Sequence, residues 1–183
     1  MRLSTLTLLV AIAWVIAILG GCVATQNAVV VNPSVIGFDV DDCVLFSSPS
    51  FLAADKVAKS EFWSFVNSHS TLSTPIDKVV TIAKNHLAMG RTVVLITARP
   101  RTDGEDLTSC MQQLLPGVQL LFCPKGKTLA MRAFHVSMFY GDSDSDMEDA
   151  IAAGALPVRT VRPTASNYKG KNNPGKFREF VLP

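Results

Sequence analysis

Three short apolar runs, each closing on polar side chains, constrain this chain most: Val35-Ile36-Gly37-Phe38 before Asp39, Thr92 to Thr97 (TVVLIT), and Val136 to Tyr140 before Gly141-Asp142. Runs of this length without strict alternation read as strands buried on both faces. Between them lie segments of helical periodicity. Pro75 to Met89 puts Val79, Ile82, Ala83 and His86 on one face, with Pro75 suited to the first turn and Gly90 to the stop. Glu105 to Leu115, Lys127 to Phe134 and Asp146 to Ala153 read as further helices, and Val118 to Phe122 and Val158 to Val161 as further strands. Ser50 to Asn67 is mixed, and its Phe62, Trp63, Phe65 and Val66 suggest a short helix or cap over the core. Strands alternating with helices in this way need βαβ crossovers. The expected fold is therefore α/β: a Rossmann-like, mainly parallel sheet flanked by helices, with a small cap insertion at about 50–74. In such sheets ligands bind at the carboxyl ends of the strands.

No charged side chain occurs from Leu3 to Phe38, and Leu8 to Leu19 is an uninterrupted apolar run. That run has the length of a signal-peptide apolar region and is short for a membrane span. Arg2 supplies the positive flank, and Gly20-Gly21-Cys22 follows with Leu19 three places before the cysteine, which resembles the bacterial lipobox. The resemblance implies a lipoprotein-type signal peptide over 1–21, a lipidated Cys22 that anchors the chain to a membrane, a tether over 22–33 and a globular domain over 34–183. An uncleaved anchor or a plain secretory signal is the alternative, and each of these readings exports the domain. The expected location is the periplasmic side of a bacterial membrane. A net charge of +2 leaves no footprint for a nucleic-acid polymer, and 48% hydrophobic content argues against disorder. Cys43, Cys110 and Cys123 contain no CxxC pair, so a zinc site is not expected; Cys110 and Cys123 could pair or stay free.

The strand-end rule gathers Asp39-Val40-Asp41-Asp42, Thr97 and Gly141-Asp142-Ser143-Asp144-Ser145-Asp146 at one rim, with Lys127 opening a helix between them. Several carboxylates on one edge repel unless a cation sits among them, and a hard divalent ion with oxygen ligands, Mg²⁺ foremost, resolves this. Lys127 and Thr97 suit phosphate oxygens, as a point charge and a neutral donor. Metal, carboxylate nucleophile, general acid and phosphate clamp together make a phosphoryl-transfer site.

DVDD at a strand end, then Thr97, Lys127 and GDSDSD in that order, resemble the four motifs of haloacid-dehalogenase-type phosphatases. The wider strings FDVDDCVLFSSP, ITARP, FYGDSDSD and Ser166-Asn167-Tyr168-Lys169 are similar to bacterial class B acid phosphatases. The resemblance implies the haloacid-dehalogenase (HAD) fold and Mg²⁺-dependent hydrolysis of small phosphomonoesters such as nucleotides and aryl phosphates. It implies Asp39 as the nucleophile that forms an aspartyl-phosphate and Asp41 as the acid and then the base. It implies Asp39, the Asp41 carbonyl and Asp142 as metal ligands, Asp146 as the residue orienting metal-bound water or Lys127, and Thr97 and Lys127 on the phosphoryl oxygens. Phe51, Arg99 and Tyr168 fall where the family lines its substrate pocket, and self-association into a homo-oligomer is the implied assembly. Two departures stand out: Cys43 replaces the usual Thr, and the stretch between Pro49 and Pro75 is short for the family.

Other readings compete. Any single one of these aspartates could be a turn or cap residue, and Asp42 and Asp144 read as solvated loop carboxylates. An aromatic near a cleft, such as Phe51, Trp63 or Tyr168, is often core, and Arg99 could pair with a surface acid. The histidines lack metal spacing, with His86 packing or capping its helix. The run KGKNNPGK from Lys169 reads as a solvated basic loop. A receiver domain needs a phospho-acceptor Asp on a middle strand, and no such residue ends a strand between Asp42 and Thr97. A lipoprotein class C-type acid phosphatase or nucleotidase, and an inactive binding lipoprotein with Cys43 as the suspect change, are the remaining alternatives.

Overall fold

The computed structural model describes residues 34–182. The expected signal peptide, tether and Cys22 therefore lie outside the described residues. Six parallel strands form one sheet in the order β5-β4-β1-β6-β7-β8. These are β1 (Val35–Phe38), β4 (Thr92–Thr97), β5 (Gln119–Phe122), β6 (Val136–Gly141), β7 (Leu156–Arg159) and β8 (Phe180–Val181). β1 sits between β4 and β6, so the chain leaves it toward opposite sides in successive crossovers. The crevice at its carboxyl end is the switch point where such sheets bind ligands.

Alternation along β4 divides the core. Val93 and Leu95 join Ile36, Phe38, Val79, Leu107 and Met111 in one buried cluster, while Val94 and Ile96 join Phe139, Met131 and Ala150 in another. The helices α3 (Asp77–Ala88) and α4 (Glu105–Leu114) contribute to the first cluster. The helices α5 (Thr128–Ala133) and α6 (Asp144–Ala153) contribute to the second. Gly37 is required by a close approach: a Cβ there would lie 2.6 Å from the ring of Phe139.

Helix limits differ from the sequence reading in two informative places. Pro75 does not open α3. It pairs with Leu45 in a short antiparallel ribbon of β2 (Leu45–Phe46) and β3 (Thr74–Pro75). Ile76 is still extended there, because its N–H donates to the Val44 carbonyl at 2.9 Å. α6 begins two residues earlier than expected, because Ser143 caps it: its hydroxyl accepts from the Asp146 N–H at 3.2 Å while its own N–H donates to the Asp146 carboxylate at 3.1 Å. The strand expected at Val158 to Val161 lies at Leu156–Arg159, and β8 has no counterpart in the sequence reading.

The β2–β3 ribbon brackets an insertion that folds as α1 (Ser48–Ala54), α2 (Phe62–Ser68) and a turn of 3₁₀ helix at Ser70–Leu72. Its Phe51, Phe62 and Trp63 cluster, while Phe65 stacks on His69 at 4.0 Å. Phe51 meets Trp63 edge to face at 6.1 Å, and Phe62 meets Trp63 likewise at 5.1 Å.

Candidate active site

Asp39 continues the line of β1, its N–H bonded to the Tyr140 carbonyl at 2.8 Å. The chain then turns sharply: the Val44 and Leu45 N–H groups both donate to the Val40 carbonyl, and Asp42 takes a left-handed φ of 55°. Asp tolerates that conformation. The turn brings the Asp41 side chain to Thr97 and Arg99.

Lys127 caps α5 and reaches under the end of β1. Its Nζ donates to Asp39 Oδ1 at 2.5 Å and to Asp146 Oδ1 at 2.6 Å, with all three side chains buried. Asp142 follows β6 and pairs with the Nε of Arg162. One carboxylate oxygen from each of Asp39, Asp142 and Asp146 lies within 4.8 Å of the others. Three buried carboxylates face two cationic groups here, and the mismatch shows in their acidity. Burial, then repulsion from Asp146, pushes Asp39 well above the usual carboxylate range. Burial and Asp146 push Asp142 up to about 7 against the pull of Arg162. Lys127 is moved the other way: burial would lower it, but Asp146 and Asp39 raise it above the usual lysine range. An all-oxygen donor set with a surplus negative charge fits a hard divalent cation.

Asp41 lies outside this carboxylate group. Arg99 Nη2 donates to its Oδ1 at 2.6 Å and Nε to its Oδ2 at 3.0 Å, in a forked pair. The alternative of a surface ion pair for Arg99 does not hold, since the side chain is 1% exposed. Its Nη1 donates to Asn67 Oδ1 at 3.3 Å on α2, so one guanidinium ties Asp41 to the insertion. Burial would raise the Asp41 carboxyl, but the Arg99 charge and hydrogen bonds override it and hold the carboxyl below the usual range. Thr97 is fully buried behind Asp41; its hydroxyl donates to Asp41 at 3.4 Å and accepts from the Arg99 N–H at 3.2 Å.

Above these groups opens a cavity of about 500 Å³, within the range of small-molecule sites. Asp39, Asp41, Arg99, Lys127, Asp142 and Asp146 form its polar end, and Phe51, Phe62, Trp63 and Tyr168 form its aromatic end. Phe51, Trp63 and Tyr168 thus stand together at the cavity. Arg99 Cζ lies 5.7 Å from the Phe51 centroid.

Several residues behave differently from the sequence reading. Asp42 and Asp144 are buried, at 1% and 3% exposure, because each is enclosed by partners from the late chain. Asp42 accepts from the Ser166 hydroxyl. Asp144 accepts from the Asn173 N–H and side-chain amide, both at 2.8 Å, and from Lys176 Nζ at 3.2 Å. The basic run is therefore not merely solvated: its middle is fastened to the start of α6. Burial would raise the Asp144 carboxyl, but these Asn173 and Lys176 contacts hold it far below the usual range. Arg159 lies behind, fully buried, donating to Glu179 at 2.9 Å and to the Asp142 carbonyl at 3.1 Å. Arg162 and Arg159 escaped the sequence reading, yet both lie at or just beyond the carboxyl end of β7, where the strand-end rule would have placed them.

Cys43 does not line the cavity; its Sγ donates to the Tyr140 carbonyl at 3.6 Å, and burial pushes its thiol up. Cys43→Thr is expected to keep turnover within about threefold, which assay of the purified variant checks. Among the described residues Cys110 and Cys123 form no disulfide, and His86 packs against β6 with Nε2 3.0 Å from the Tyr140 hydroxyl.

Comparison with known proteins accords with this geometry. The family model for HAD superfamily subfamily IIIB acid phosphatases matches residues 20–114. Among curated proteins, a class B acid phosphatase of Edwardsiella ictaluri is 34% identical, over 82% of this chain and 71% of its own length. One from Klebsiella pneumoniae is 30% identical over 82% and 72%. Among solved structures, a haloacid-dehalogenase-like hydrolase of Streptococcus pneumoniae superposes with a TM-score of 0.57 at 11% identity, covering 81% of this chain and 93% of its own. A Haemophilus somnus protein described as a predicted phosphoglycolate phosphatase superposes with a TM-score of 0.57 at 14% identity, with the same coverage. The two structural likenesses establish the HAD fold, and the sequence matches establish the family. With a parallel sheet that carries its acidic cluster at the switch point, this chain belongs to the class B acid phosphatases of the HAD superfamily, which are phosphomonoester hydrolases.

Proposed function

We propose that this chain is an exported, Mg²⁺-dependent acid phosphatase that hydrolyses small phosphomonoesters, nucleotides and aryl phosphates among them, through an aspartyl-phosphate on Asp39. The observation that carries the reading is the pairing of Lys127 with Asp39 and Asp146 in a cavity that Phe51, Phe62, Trp63 and Tyr168 also line. An Asp39 oxygen attacks phosphorus, the ester P–O bond breaks, and Asp41 gives its proton to the leaving oxygen. Asp41 then takes a proton from water as that water attacks phosphorus, the Asp39–phosphorus bond breaks and inorganic phosphate leaves. Arg99 times this exchange. A phosphate dianion competes for its fork, and an Asp41 carboxyl released from Arg99 keeps the burial that raises its affinity for a proton. Protonated Asp41 is needed for the first step, so turnover falls toward alkaline pH. Lys127 holds Asp39 in place and balances charge at the phosphoryl group.

Asp39, Asp142 and the Asp41 carbonyl would hold Mg²⁺, with Asp146 beside them; bound there, the ion neutralises the carboxylates and polarises the phosphoryl oxygens. Because the Asp142 carboxyl is pushed up to about 7, the ion competes with a proton below that pH. Mg²⁺ affinity, measured by calorimetry without substrate, is expected to fall as pH drops from about 7 to 5, by up to about tenfold per unit for each proton displaced. An affinity independent of pH across that window would contradict the ligand assignment.

Export and lipid anchoring rest on the uncharged stretch from Leu3 to Phe38 and on Cys22. In cells, Cys22→Ala is expected to release the protein from the membrane fraction. Hydrolysis of p-nitrophenyl phosphate and a nucleoside monophosphate, with Mg²⁺ and with EDTA, tests the activity: release abolished by EDTA supports the proposal, and release indifferent to it counts against Mg²⁺ dependence.

A further inference from the structure

Arg162 belongs to none of the motifs, yet it touches both ends of the cavity. Its Nε donates to Asp142 Oδ2, its Nη1 donates to the Gly170 carbonyl at 2.7 Å, and its Cζ lies 4.9 Å from the centroid of the Tyr168 ring. That last distance is within cation–π range. The side chain is 10% exposed, and its Nη2 is buried with no hydrogen-bond partner among the described residues. The turn it holds is tight: the Tyr168 ring folds over Gly170 so closely that a Cβ at that position would overlap the ring. The other anchors of this turn, the Ser166 hydroxyl on Asp42 and the Asn167 N–H on Ser48 at 2.8 Å, sit on the β1 and α1 side. Arg162 links the turn to Asp142 at the end of β6, beside the Asp144 N–H that donates to the Lys171 carbonyl at 2.8 Å.

A guanidinium suits this position. Its planar fork serves a carboxylate and a carbonyl together while its face covers an aromatic ring, which a point-charged ammonium does not match. One rigid plane therefore spans an acidic group at the floor and an aromatic group on the wall. Among the described residues the plane is held by two hydrogen bonds, Nε on Asp142 and Nη1 on Gly170, so a change at Asp142 removes one of the two.

We propose that Arg162 is a positioning residue that couples Asp142, at the acidic end of the cavity, to Tyr168, at its aromatic wall. Whatever changes the hold of Asp142 on the guanidinium changes the placement of the Tyr168 ring. A cation at Asp142 and an aromatic group against Tyr168 then alter each other's affinity by the same factor. Only this cation consequence rests on the reading of Asp142 as a Mg²⁺ ligand; the link itself does not.

The chain has two tyrosines, Tyr168 at 47% exposure and Tyr140 at 7%. Nitration by tetranitromethane, read on the separated peptides, thus reports on Tyr168, with Tyr140 as an internal check of folding. In metal-free full-length protein, Arg162→Gln and Asp142→Asn are each expected to change the Tyr168 nitration rate by about threefold or more, and the double variant to go no further than Arg162→Gln alone. A direct effect of the Asp142 charge on the phenol would persist in the Arg162→Gln background, so the double variant separates it from coupling through the guanidinium. If Arg162→Gln exposes Tyr140, Arg162→Lys takes its place, because it keeps the charge and loses the fork. Mg²⁺ is expected to shift the wild-type rate in the direction that Asp142→Asn does and to leave the Arg162 variant unmoved. A folded Asp142→Asn protein with the wild-type Tyr168 rate overturns the proposal, as does an Asp142→Asn effect undiminished in the double variant. Coupling seen between the variants without any response to Mg²⁺ upholds the role of Arg162 and removes Mg²⁺ from Asp142.

Discussion

Asp39→Asn is expected to lower kcat by about 10⁴-fold or more, the scale of losing the group that forms the covalent intermediate. The amide is nearly isosteric and cannot attack phosphorus as a carboxylate does. The same change is not expected to destabilise the fold. Asp39 is one of three crowded buried carboxylates, and burial with repulsion from Asp146 already raises its affinity for a proton. Removing its charge relieves that repulsion, while Lys127 keeps Asp146 as a partner at 2.6 Å. Thermal unfolding should therefore be unchanged or slightly higher, and activity absent. A variant retaining even a tenth of wild-type turnover would remove Asp39 from the nucleophile's role.

Lys127→Met should damage both stability and activity. Its Nζ is the cation on Asp39 and Asp146, and breaking a buried pair by removing one partner costs about 3–5 kcal/mol, since a charge is left uncompensated. The loss depends on pH with a definite sign. Burial and Asp146 already raise the folded Asp39 carboxyl above the unfolded carboxyl's value of about 3.9, and without Lys127 nothing pulls it back. A raised carboxyl stabilises the fold while it is protonated, and that contribution disappears as pH rises through the folded value. The variant should therefore lose more stability at about pH 8 than at about pH 5, and divalent cation should restore part of it. Denaturant unfolding at both pH values, with and without Mg²⁺, checks this. An equal loss at the two pH values would show that Lys127 is not the counter-charge for these groups.

Much of this site is legible in the sequence, for a physical reason. A buried parallel strand leaves a visible apolar run, and the residue after it is delivered to the carboxyl edge whatever else the chain does. Asp39, Thr97 and Asp142 are read in this way. Lys127 is read because a helix N-terminus in a βαβ unit returns to the same edge. The pairings among these residues are not legible. That Asp41 turns to Arg99 while Asp39 turns to Lys127 depends on the Val40–Leu45 turn, and neither pairing is local. Asp42 and Asp144 look like loop carboxylates because their partners are distant. The Ser166 that donates to Asp42 is 124 positions away, and the Asn173 that donates to Asp144 is 29 away. Arg162 is missed because it follows a strand end that is occupied by Arg159-Thr160-Val161 and carries no acidic motif. Pro75 misleads because proline suits both a helix start and an edge pairing, and the Ile76 bond to Val44 decides between them.

The most direct test of the account is to catch the intermediate. Wild-type protein would be mixed with p-nitrophenyl phosphate and Mg²⁺, quenched in acid during turnover, digested and examined by mass spectrometry. The account predicts a phosphoryl group on the peptide that contains Asp39, localised to that residue, released by hydroxylamine and missing when EDTA replaces Mg²⁺. Turnover that leaves Asp39 unmodified while phosphate is found on another side chain would contradict it.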